Sequence, residues 1–258
     1  FIMTEPDFQT TSSAGSRSSE TSTPKETTMK KLLIGITALL LSLHATAAPK
    51  SDSAIKVGKE IAVFYKNPSA ERAASLMDQL VKADLMRETT LAWGTQALQK
   101  YPQGSTIWCD NIRTYQGDAL TFSAYTLALT GTSQAQTCLD SLTLNTELKN
   151  NLKENKSFHP LKEPIISPAS LDFHWVTYFA TGNPKAVERI VDYIIKAQTA
   201  AAQRPDHVDL TLAAAIWSTR SNMEQDAAID SIVRKYIQKQ SKANKKLLEQ
   251  ALLAPQDD

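Results

Sequence analysis

The sequence predicts an all-α protein: stacked antiparallel helical hairpins, an α-α superhelix-like arrangement, forming a single compact domain behind a signal peptide. Three observations carry that prediction. Apolar residues recur at i, i+3, i+4 and i+7 through most of the chain. Glycine is scarce, with 8 copies in 258 residues. Only one passage, Leu120-x-Phe122-x-Ala124, alternates like a strand, and it reads equally well as helix through Leu120, Ala124, Leu127 and Ala128.

Residues 1–28 include Thr10-Thr11-Ser12-Ser13 and Ser18-Ser19-Glu20-Thr21-Ser22-Thr23. They offer almost nothing to bury and are expected to be a disordered or untranslated leader. Met29-Lys30-Lys31 then precedes an apolar run from Leu32 to Leu43, and Ala45-Thr46-Ala47 follows. A basic run, an apolar core of about a dozen residues and a small-x-small site make residues 29–47 a secretory signal peptide, cleaved near Ala47. The run is shorter than the roughly 20 apolar residues of a membrane span. The expected location is periplasmic or secreted. The mature chain, 48–258, is expected to be one helical domain with no membrane span.

Within that domain Asn67-Pro68 places a capping side chain before a proline suited to a first helical turn, and Ala73, Leu76, Met77 and Leu80 share one helix face. Breaks fall at Tyr101-Pro102-Gln103-Gly104 and Gln116-Gly117-Asp118. Residues 145–168 are polar and then proline-rich, with Pro160, Pro164 and Pro168, and read as an exposed connection or hinge. Asn183-Pro184 repeats the cap-plus-proline signal before Val187, Ile190, Val191 and Ile194. Asp206 and Asp209 open a helix from His207 to about Asn222 that is apolar nearly all round, which predicts a central, buried position. Ile229, Ile232, Val233 and Tyr236 mark another amphipathic helix.

Leu120–Ala135 can be laid over Leu171–Ala186. Both read as an apolar helix, a Thr-Gly stop, a capping residue and a second helix, with glycine where a helix end needs a left-handed residue. Asn67-Pro68-Ser69-Ala70 is a more degenerate copy of the turn. With an offset of about 50 residues, the turns Gly131-x3-Ala135 and Gly182-x3-Ala186 resemble tetratricopeptide-like α-hairpin repeats. The spacing departs from the regular 34-residue tetratricopeptide period. The resemblance implies a packing style and a tendency to bind partners. It carries over no catalytic residue.

The two cysteines, Cys109 and Cys138, would pair as a disulfide in an oxidising compartment. Two buried thiols on neighbouring helices are the alternative, and no metal-ligand spacing accompanies them. Net charge is +1, which argues against a general nucleic-acid binder. The one basic cluster, Arg234-Lys235, Lys239, Lys242 and Lys245-Lys246, reads as a solvated face and helix C-terminal charge.

Catalytic signatures are sparse. No Gly-x-Ser-x-Gly elbow, His-Glu-x-x-His pair, P-loop or dinucleotide fingerprint occurs. The mature chain has three histidines, His159, His174 and His207. Asp172-x-His174 and Asp206-His207-x-Asp209 put carboxylates beside imidazoles, the raw material of a metal site or general base. A first-turn role for His207 and a core role for His174 are the plainer readings. The aromatic residues offer binding surface: Trp175, Tyr178 and Trp217, with Arg220 closing Trp217-Ser218-Thr219-Arg220, are the candidate binding residues.

These features point to an exported protein- or peptide-binding scaffold that needs no cofactor or metal, with a protein or peptide partner in the cell envelope. The alternatives are an exported hydrolase built on His174 with Asp172 or on His207, and a small-molecule carrier in which Trp175 and Trp217 line an inter-helix pocket.

Overall fold

Residues 52–154, 158–203 and 209–254 are described in a computed structural model. The leader, the signal-peptide segment, Asp206 and His207 lie outside the described residues. Among the described residues every regular element is helical. They are α1 (Asp52–Ala62), α2 (Ala70–Lys82), α3 (Glu88–Lys100), α4 (Gln103–Ile112), α5 (Gly117–Thr130), α6 (Ser133–Ser141), α7 (Thr146–Glu154), α8 (Pro168–Thr181), α9 (Pro184–Ala201), α10 (Leu210–Gln225), α11 (Ala227–Gln238) and α12 (Lys242–Leu252), with 3-10 turns at Phe64–Lys66 and Pro160–Lys162. The all-α prediction holds, and the strand-like passage at Leu120 lies inside α5.

The helix at the centre is α8. Ser167 caps it by accepting from the Ser170 backbone N–H, Pro168 occupies its first turn, and Gly182 ends it with φ +65°. Leu171, Trp175, Val176, Tyr178, Phe179 and Ala180 are all buried, so α8 is apolar around nearly its whole circumference. It packs against α1, α3, α9 and α10 and against both 3-10 turns. Its threonines are satisfied within the helix, Thr177 Oγ1 donating to Phe173 O at 2.7 Å and Thr181 Oγ1 to Thr177 O at 2.6 Å.

The internal similarity read from the sequence has a structural counterpart. In α5, Thr126 Oγ1 donates to Phe122 O and Thr130 Oγ1 to Thr126 O, the same pattern at the matching positions. Both helices then end on a left-handed glycine, Gly131 at φ +67° and Gly182 at φ +65°. An extended capping residue follows each glycine, Thr132 or Asn183, and the buried Ala135 or Ala186 starts the next helix inward. The turn before α2 differs. Its cap is Ser69, accepting from Arg72 N at 3.1 Å, whereas Asn67 closes the preceding 3-10 turn.

That 3-10 turn is a staple. Phe64 is fully buried edge-on to Trp93 and Tyr101 of the α3 region, at centroid distances of 5.2 and 5.8 Å. Tyr65 lies on Tyr178 of α8 at 4.6 Å, and its hydroxyl donates to Asp226 at the start of α11. Lys66 completes the grip with an ion pair to the same carboxylate at 2.7 Å. A second staple is covalent. Cys109 of α4 and Cys138 of α6 form a disulfide across a Cα–Cα distance of 5.7 Å.

The connection at 145–168 is partly helical, since α7 and the turn Pro160–Lys162 lie within it, and Leu152 and Pro160 are buried. One expectation about a helix needs correction: the helix expected to be central, now α10, is peripheral. It begins at Leu210 with Asp209 as cap, and only Thr211, Ala215, Ser218, Thr219 and Met223 are buried. Four of these five are small, so α10 approaches its neighbours closely through them. Its bulky residues Leu210 and Trp217 are left outside.

Candidate functional site

The structure separates the four candidate binding residues. Trp175 is 2 % exposed and its indole N–H donates to Ser218 Oγ at 3.1 Å, joining α8 to α10. Tyr178 is 1 % exposed, and burial pushes its phenol up from the ordinary value. Both are core residues. Arg220 donates from Nε to Ala251 O at 2.7 Å and from Nη2 to Gln250 O at 3.4 Å. It therefore serves the last carbonyls of α12, where a cation is favoured by the helix dipole. Trp217 alone faces outward, at 38 % exposure.

Trp217 has company. Leu210, seven residues earlier, is 71 % exposed, and Ala213 between them is exposed as well. At 100° per residue these three fall within one sector of the helix, opposite the buried Thr211, Ala215 and Thr219. The result is an outward apolar stripe about 10 Å long between Leu210 and Trp217, at 1.5 Å rise per residue. Val63, Ile107 and Ile166 are also exposed, but they stand singly in different elements, as surface apolar residues commonly do. The sequence singled out Trp217 and missed Leu210 and Ala213. The signal was present in the all-round apolar character of 207–222, which was read as burial.

The ends of α10 and α11 are held at one level. Adjacent residues of α9 do this: Tyr193 OH donates to Asp209 Oδ2 at 3.4 Å, and Asp192 accepts from Tyr236 OH. Burial and the Asp192 carboxylate push the Tyr236 phenol up to about 12. Lys245 Nζ then donates to Gln238 Oε1 at 2.7 Å, fixing the start of α12 against the end of α11. The exposed Lys235, Lys239, Lys242 and Lys246 therefore cluster at the end of the bundle where Leu210 begins the stripe.

His174 is placed for packing. It is 1 % exposed on α8, and neither ring nitrogen has a hydrogen-bond partner among the described residues. Burial foremost, and the nearby Arg189 guanidinium second, push its pKa down to about 4. The Glu163 backbone opposes them weakly, close enough to favour the protonated ring without a well-formed hydrogen bond. Asp172, two residues away, lies about 200° around the helix, so it cannot orient the His174 imidazole as a catalytic carboxylate does. Among the described residues no group of three or more His, Cys, Asp or Glu is gathered to hold a metal ion, and no helix is long and apolar enough to cross a membrane.

No protein-family model matches this chain, and neither does any curated protein or solved structure. The functional reading therefore rests on the chain's own residues.

Proposed function

We propose that this chain is an exported protein- or peptide-binding module whose docking element is the outward face of α10. The observation that carries the reading is the Leu210–Ala213–Trp217 stripe. Exposed aromatic and aliphatic side chains grouped on one rigid helix are the anchors of protein recognition. Export is supported by the signal-like segment at 29–47 and by the Cys109–Cys138 bond, a chemistry of oxidising compartments. The matched turns at Gly131 and Gly182 support the tetratricopeptide-like style of stacking. The hydrolase reading built on His174 has less behind it, because that ring is shut in the core and kept neutral, while His207 lies outside the described residues. The carrier reading has less too, because Trp175 turns to Ser218 while Trp217 faces solvent.

The test compares the protein with its Leu210→Glu/Trp217→Glu variant, immobilised and exposed to envelope extract. Leu210 is 71 % and Trp217 38 % exposed, so the variant is expected to keep the parent's helical circular dichroism spectrum and to melt somewhat below it. The reading predicts that proteins retained by the parent are lost about tenfold or more in the variant. Equal retention by both would contradict it.

A further inference from the structure

The chemistry of the partner can be read from what borders the stripe. Residues 227–254 carry six basic side chains, Arg234, Lys235, Lys239, Lys242, Lys245 and Lys246, against two acidic ones, Asp230 and Glu249. Asp230 is taken by Arg234 at 2.8 Å, and Glu249 stands 4.0 Å from Lys245. Lys235, Lys239, Lys242 and Lys246 form no ion pair among the described residues. Three carboxylates reach that level and keep their charge: Asp192 and Asp209 accept only from the neutral groups Tyr236, Tyr193 and the Leu212 backbone N–H, and Glu188 acts on Tyr236, so the four lysines exceed them by one. A surplus of positive charge therefore sits at the Leu210 end of an apolar stripe.

We infer that the α10 face takes an acidic amphipathic helix of a partner protein, whose apolar side chains cover Leu210, Ala213 and Trp217 while its carboxylates meet the lysines at the α11–α12 end. This rests on the protein-binding reading above. A helix suits the face because α10 presents side chains and no free backbone edge. The occupant must therefore satisfy its own backbone hydrogen bonds, as a helix does. The lysine surplus selects the sign of the partner's charge. It steers approach over roughly a Debye length, about 8 Å at physiological ionic strength.

The test uses two peptides of about 20 residues, long enough to hold a helix. Both carry leucines at i, i+3, i+4 and i+7. One has glutamates on the other face and one has lysines. Vesicles of mixed phosphatidylcholine and phosphatidylglycerol serve as a third probe. Binding is read by peptide anisotropy and by protection of Trp217 from iodide, since Trp93, Trp108 and Trp175 are buried. The inference predicts that the Glu peptide binds about tenfold or more tightly than the Lys peptide at low salt and that the difference shrinks as salt rises. Leu210→Glu/Trp217→Glu should abolish its binding, and Lys239→Glu/Lys242→Glu/Lys246→Glu should remove the preference for it.

If the Lys peptide protects Trp217 equally well, the acidic partner is overturned while the protein-binding reading stands. Capture by vesicles with neither peptide bound would replace the helix by an anionic membrane surface and overturn the inference. Binding of no probe also overturns it, and retention of proteins from extract then decides the broader reading separately.

Discussion

The Tyr65 hydroxyl donates to the Asp226 carboxylate across 161 residues of sequence. The same carboxylate caps α11 by accepting from Ala228 N at 2.9 Å and pairs with Lys66 at 2.7 Å. Burial pushes Asp226 up, but the bonds from Lys66, Tyr65 and the Ala228 backbone outweigh it and hold the carboxyl below its ordinary value. Asp226→Ala removes the cap, the Lys66 ion pair and one of the Tyr65 hydroxyl's two partners, Tyr178 being the other, a loss of about 2–3 kcal/mol. Asp226→Asn keeps a capping oxygen and should lose less, about 1 kcal/mol. Urea unfolding of the three proteins at neutral pH measures the order.

His174 makes the fold acid-sensitive. A group whose folded pKa is depressed contributes stability that is present above its unfolded value and lost as pH falls through the folded value. From an ordinary 6.5 to about 4, that loss amounts to about 3 kcal/mol. Replacing the ring with an apolar side chain removes the titrating group and two buried, unpartnered nitrogens. His174→Leu should therefore lie within about 1 kcal/mol of the parent at neutral pH. It should also lose less stability between pH 6.5 and 4, which chemical denaturation across that range would show.

The Cys109–Cys138 bond closes a segment of 29 residues. Cys109→Ala/Cys138→Ala, or reduction of the parent, should cost about 3 kcal/mol in the chain-entropy description. A melting curve with and without reductant reads the effect. It should be absent in the double variant.

Gly182 ends α8 at φ +65°, and a Cβ there would meet nothing nearer than Tyr65 Cβ at 3.5 Å. Space is available, so the cost of Gly182→Ala is conformational, about 1 kcal/mol. Gly94 is the contrary case, with room missing. A Cβ there would come within 2.4 Å of Met77 Sδ. Gly94→Ala should lose about 1–3 kcal/mol through displaced core packing. Comparing the two variants by urea unfolding separates backbone strain from crowding.

Much of the fold was legible because its signals are local. The Thr-Gly stops at 130–131 and 181–182, the Asn183-Pro184 start and the spacing of Val187, Ile190, Val191 and Ile194 each fix a helix or its end within a few residues. The bridge of Phe64, Tyr65 and Lys66 to α3, α8 and Asp226 was not legible, since its partners lie far along the chain and nothing local marks the turn. Asn67-Pro68 drew attention to the wrong cap because Ser69, two residues on, competes for the same role. The candidate site was half visible. Trp217 stood out by residue type, but hydrophobic periodicity does not say which side of an all-round apolar helix receives neighbours. Small residues on one side of α10 decide it by allowing close approach, and the exposed stripe is what remains.

The most direct measurement places a photo-cross-linking amino acid at Ala213, in the middle of the stripe, and at exposed Gln136 on α6 as a control, in cells making the protein. The account predicts a discrete cross-linked protein product from position 213 that is absent from 136 and disappears when Leu210 and Trp217 are replaced by Glu. No product from 213, or the same products from both positions, would contradict it.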